Sequence, residues 1–288
     1  MLWQKGRQSD NVVEDSGGGG LGFGRIHLGL GGTIIAIIIA IFFPSTRNLI
    51  FGLLGGGDMG ATGGAQQTAP IDKNDPQVQF VSSILGSTED VWSRYFQQVG
   101  QQYTDPKLVL FHGSVATACG GASAAVGPFY CPGDQQVYLD LDFFQELATR
   151  FHSNSDFARA YVIAHEVGHH VQNELGIMRA EKQAQARGAP MEGADGLSVR
   201  LELQADCLAG VWANRSQQQL QWLQPGDIES ALNAASQIGD DTLQREARGT
   251  VAPDTFTHGT SAERVRWFKT GFQSGDIKAC DTFNAQTL

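Results

Sequence analysis

The chain has 288 residues, enough for one large domain or two small ones. It carries 30 acidic against 20 basic side chains, a formal net charge of −10. No basic stripe is therefore available to meet phosphates, which argues against nucleic acid as a partner. Charged residues make up only 17%, and 17 of the 36 glycines precede Ala69, so the two parts of the chain need separate readings.

Residues 1–25 are polar and glycine-rich, with GGGG at Gly17–Gly20, and read as a flexible cytoplasmic N-terminus. Residues 26–46 contain no acidic or basic side chain apart from a neutral His27, and Thr33–Phe43 (TIIAIIIAIFF) is almost wholly aliphatic and aromatic. A membrane-spanning helix needs about 20 such residues. A cleaved signal would be followed closely by a small-x-small site, whereas Phe42, Phe43 and Pro44 follow here. The stretch is expected to be an uncleaved transmembrane anchor. Lys5, Arg7 and Arg25 precede it and only Arg47 closely follows, which places the N-terminus in the cytoplasm and the rest outside. The expected location is the inner membrane, single-pass, with a periplasmic C-terminal domain. Residues 47–73 contain the run GGGDMGATGGAQQTAP and read as a linker.

Cysteine usage leans the same way. Cys119, Cys131, Cys207 and Cys280 make an even count, which in an oxidising compartment suggests two disulfides. Of three pairings, Cys119–Cys131 with Cys207–Cys280 is favoured, since the first could cross-link a hairpin; four reduced thiols are the alternative.

Residues 74–288 read as one α+β domain, mainly helical with a small sheet or hairpin. Asp75–Val99 alternates at helical spacing, and Ser87 or Thr88 could cap a second helix within it. KLVLF at Lys107–Phe111 is a strand. Pro128–Leu141 reads as a hairpin turning at Pro132–Asp134. FFQELATRF continues as a helix. Asn154 or Ser155 then caps a long helix, and others follow at Leu197–Arg215 and after the Pro225–Asp227 turn. A last one begins at Thr260, where Thr260 and Glu263 form a capping box. Gly176–Gly196 has the composition of a mobile segment.

The long helix carries HEVGHH. His165 and His169 are four residues apart, about 40° of rotation and 6 Å of rise on a helix, so both rings can reach one Zn²⁺. Glu166 lies about 100° away, where it borders the metal and can accept a proton from an attacking water. Gly168 suggests that another element packs close by. His170 points away from His169 and reads as structural. A metzincin would place a third histidine further along the helix, where Leu175 stands. ELQAD at Glu202–Asp206 supplies a carboxylate instead: Glu202 as third metal ligand, with Asp206 one turn on, hydrogen-bonded to the far nitrogen of a ligating ring. His258 is a candidate to support the oxyanion formed in amide hydrolysis. Arg264 and Tyr138 are candidates to contact substrate.

With HEVGHHVQ, ELQAD and THGTSAER in view, the chain resembles the bacterial neutral zinc metallopeptidases of the membrane-anchored YpfJ type, through nearly its whole length. More distantly, the order of H-E-x-x-H, E-x-x-A-D and a final H-x5-R is similar to the HtpX and prenyl-protein peptidase group. That resemblance implies that Glu202 is the third zinc ligand and that His258 and Arg264 face substrate. The expected function is zinc-dependent hydrolysis of peptide bonds in a peptide or protein substrate, with Glu166 as the base. The alternative is a non-catalytic envelope adaptor with a structural or vestigial zinc site.

Overall fold

A computed structural model of the chain describes residues 1–15, 68–69, 71–123, 127–150 and 155–288. The expected anchor at 26–46 lies outside the described residues. Among those described, no helix is long and apolar enough to cross a membrane.

A mixed five-stranded sheet packs against a helical body. In chain order its strands are β1 (Val12–Asp15), β2 (Thr68–Ala69), β3 (Lys107–Phe111), β6 (Phe129–Cys131) and β7 (Gln136–Asp140), arranged in space as β2-β1-β3-β7-β6. Strands β1, β3 and β7 run parallel, while β2 and β6 pair antiparallel at the two edges. Strands β4 (Ser114–Thr117) and β5 (Gly120–Ser123) form a separate hairpin. Side chains alternate across β3: Leu108 and Leu110 join the main core, whereas Val109 and Phe111 join a second cluster with Val115, Cys131 and Tyr138. Apolar residues at every strand position are what a sheet covered on both faces requires.

The described residues also form eight α-helices: α1 (Pro76–Gln98), α2 (Phe143–Arg150), α3 (Asp156–Glu174), α4 (Ile177–Ala186), α5 (Leu197–Leu220), α6 (Asp227–Gln237), α7 (Asp240–Arg248) and α8 (Ser261–Ser274). Asp75 caps α1 by accepting from the amides of Gln77 and Val78, and Pro76 stands at its first position. The expected break at Ser87 or Thr88 is absent. Both hydroxyls instead donate to carbonyls one turn back, Ile84 and Leu85, so the helix runs on. Ser155 caps α3 through the Ala158 amide, and the Thr260–Glu263 capping box starts α8. Part of the segment expected to be mobile is helix α4.

Both favoured disulfides form: Cys119–Cys131 and Cys207–Cys280. The first joins the β4–β5 turn to β6, so it links two hairpins rather than closing one. The second ties α5 to the turn after α8. Residues 1–15 also differ from expectation. They are not a free tail: a short 3-10 turn at Trp3–Lys5 and strand β1 pack on the domain, with β1 inside the sheet between β2 and β3.

Candidate active site

Helices α3 and α5 cross at the site. At Gly168 an added Cβ would lie 3.1 Å from the Ala205 carbonyl oxygen, so a side chain here would push α5 away. The crossing brings Glu202 against the two histidines of α3. One Glu202 oxygen lies 3.2 Å from His165 Nε2 and the other 3.4 Å from His169 Nε2. These three residues form a group whose ligand atoms all lie within 4.8 Å of one another.

The opposite side of each ring is held. His165 Nδ1 lies 2.9 Å from Asp206 Oδ1, so its proton is donated to a carboxylate. His169 Nδ1 lies 2.8 Å from Gln172 Oε1. The Gln172 amide can face only this way. Its NH₂ donates to the Leu201 carbonyl at 2.7 Å and to Gln204 Oε1 at 3.1 Å, leaving its oxygen for the ring. Both rings are therefore held with a proton on Nδ1 and with Nε2 directed at one point beside Glu202. Two imidazole nitrogens and a carboxylate are a donor set that suits Zn²⁺, and three protein ligands leave a position open.

The electrostatics agree. Burial opposes charge on His165, but Asp206 and Glu202 outweigh it and lift the ring to about 10. Burial also opposes charge on Glu202, yet His169, His258 and His165 hold it well below the usual carboxylate range. Asp206 is likewise brought down to about 2 against burial, chiefly by Arg264 and then His165. The carboxylates thus hold cationic charge at this point, protons where no metal is bound. Glu166 behaves oppositely: burial raises it, and the neighbouring histidines only partly counter this.

The remaining candidates separate cleanly. His170 is structural, lying 2.7 Å from the Thr104 carbonyl oxygen and 3.1 Å from Tyr130 Oη. Arg264, expected to contact substrate, is turned inward. It is buried and bonds Asp206 through Nε at 2.8 Å and Nη2 at 3.0 Å, so it supports the residue that supports His165. Tyr138 is also fully buried, stacked on Phe129 at 4.9 Å with its hydroxyl on Asp134, too deep to meet a peptide. His258 keeps a partly open side chain, and its charge is felt at Glu202. Its loop is gathered by Asp240, whose Oδ2 accepts the successive amides of Thr257, His258 and Gly259 at 2.7, 2.6 and 3.0 Å.

Three contributors escaped the sequence reading: Gln172, Asp240 and Tyr161, whose hydroxyl also bonds Asp206. Gln172 sits three residues after His169, the helical spacing at which a supporting side chain reaches a ring. Asp240 had no signal, because its partners lie 17 to 19 residues away.

Comparison with known proteins follows the same line. The sequence pattern of a family described as "Putative neutral zinc metallopeptidase" matches residues 1–283. "Uncharacterized protein YpfJ" of Escherichia coli K12 is 47% identical over 290 residues, covering 98% of this chain and 99% of that protein. "Uncharacterized protein Rv2575" of Mycobacterium tuberculosis H37Rv is 45% identical over 221 residues, 73% of each chain. No solved structure matches. With both histidines, Glu202 and the match along nearly its whole length, the chain belongs to this neutral zinc metallopeptidase family.

Proposed function

We propose that this chain is a membrane-attached, zinc-dependent peptidase whose catalytic domain works outside the cytoplasm. The observation that carries the reading is the convergence of two Nδ1-anchored imidazoles and one carboxylate, with Glu166 buried beside them. His165, His169 and Glu202 would hold the ion. When bound, zinc supplies Lewis acidity to the scissile carbonyl and to the attacking water.

The protein's own groups do the rest. Glu166 accepts the proton of the attacking water and returns it to the leaving amine nitrogen. A carboxyl raised by burial is a stronger base than an exposed one, which suits this exchange near neutral pH. His258 donates to the carbonyl oxygen as it gains charge. Asp206 and Gln172 keep the ligand rings from turning. The two disulfides support an oxidising compartment, and the apolar stretch at 26–46 supports attachment to the membrane.

Glu166→Gln tests the reading. It should retain zinc by metal analysis yet lose about 10²- to 10⁴-fold in chelator-sensitive hydrolysis of unfolded casein. Full activity in that variant would remove Glu166 as the base. A zinc-loaded wild-type protein that leaves casein intact would favour the adaptor reading instead.

A further inference from the structure

We infer that residues 1–15 lie on the same side of the membrane as the active-site domain. This rests on the membrane attachment proposed above, and it replaces the single crossing expected from the charge distribution.

The argument comes from contacts on both flanks. Glu89, in the middle of α1, is buried with 3% of its surface exposed. Its carboxylate partners come from the N-terminal segment: Arg7 Nη2 at 2.6 Å, Ser9 Oγ at 2.5 Å and Asn11 Nδ2 at 2.8 Å. A carboxylate placed inside a helix packing face without them would be an unpaired buried charge. One turn earlier, an added Cβ on Gly86 would stand 2.3 Å from the Arg7 carbonyl oxygen, so α1 is shaped to let that backbone pass. Further along the same helix, Ser83 Oγ donates to the Trp3 carbonyl at 2.5 Å, the Ser9 amide donates to the Ser82 carbonyl at 3.0 Å, and Trp3 meets Phe80 edge to face.

The strands give the same answer. Val12, Val13 and Glu14 are in parallel register with Leu108, Val109 and Leu110, and Asp15 is paired with Thr68. Paired strands lie about 5 Å apart. A single crossing would separate the two ends of the intervening chain by the roughly 30 Å thickness of the hydrocarbon core. Both conditions cannot hold. The intervening residues have one apolar run of the length of a single span, Ile26–Phe43, not two. The family match, which begins at residue 1, is consistent with a domain that includes this segment.

The test uses the full chain in inner-membrane spheroplasts. All four native cysteines are paired, so one added cysteine reports alone. Gln8→Cys and Lys269→Cys place it at exposed sites on the N-terminal segment and on α8. A membrane-impermeant maleimide should label both to the same extent before permeabilisation. Labelling of Lys269→Cys in intact spheroplasts, with Gln8→Cys reached only after permeabilisation, would overturn the inference. Labelling of both only after permeabilisation would support shared sidedness and remove the extracytoplasmic location. Arg7→Glu gives an independent reading, because it sets a carboxylate against Glu89 and Asp90. It should lower the melting temperature of the full chain by several degrees; an unchanged value would mean that the segment is not docked.

Discussion

Gln172 does more for this site than its neutral side chain advertises. It is fully buried, and its amide is read from both ends: the NH₂ by Leu201 and Gln204, the oxygen by His169 Nδ1. Gln204 in turn donates to the Cys280 carbonyl at 2.9 Å. Gln172→Leu keeps the volume but releases the ring, and zinc affinity should fall about 10- to 100-fold. Competition with a chromogenic chelator would measure this; unchanged affinity would mean that packing alone orients His169. At this scale the pairing of His165 with His169 is legible in the sequence, because i and i+4 spacing on a helix is a local rule. Asp206 was legible by the same rule from Glu202. Arg264 and Tyr138 were read outward, and the structure turns both inward. Nothing in spacing says which way a long side chain faces when the group it meets lies 58 residues away, as Asp206 does from Arg264.

Among the elements, local signals placed most starts and missed some continuations. The caps at Ser155 and Thr260 stand where polar side chains precede apolar periodicity. Ser87 and Thr88 carry the same chemistry but sit inside α1, where burial on both sides keeps the helix intact. Helix α4 is short, polar and largely exposed, so its periodicity was masked by composition. The loop that presents His258 depends on Asp240, at the start of α7. Burial opposes the Asp240 charge, but His258 and the loop amides outweigh it and lower the carboxyl below its ordinary value. A depressed carboxyl stabilises the fold fully above its unfolded value, near 4, and this is lost as pH falls through the lower folded value. Asp240→Asn should therefore be less stable than wild type at pH 7 by about 1–3 kcal/mol. The difference should shrink below pH 4, read by denaturant titration across that range. A gap that is independent of pH would mean that the carboxylate charge is not what holds the loop.

Across the whole molecule, the Cys207–Cys280 bridge closes a loop of 73 residues that contains most of α5, all of α6 to α8 and the His258 loop. The chain-entropy estimate for a loop of that size is about 4 kcal/mol. A Cys207→Ser/Cys280→Ser double variant should lose a large part of this. It should also bind zinc more weakly, since Cys280 anchors the amide relay to His169 through Gln204 and Gln172. Equal melting temperatures for the two proteins would show that the closed loop is already ordered by packing. The sequence alone was enough for the family, for the helix that carries His165 and His169, for Glu202 beside them with Asp206 behind His165, and for both disulfide pairs. The helix and Glu202 with Asp206 rest on short-range periodicity, the family on a resemblance carried by contiguous motifs, and the disulfides on an even cysteine count with one pair placed near a hairpin. Only the tertiary structure assigned Arg264 to Asp206, buried Tyr138, docked residues 1–11 on the domain and enrolled Val12–Asp15 in the sheet beside β3. Those outcomes depend on which distant segments share a core and which polar groups must find partners there, and no local pattern encodes that.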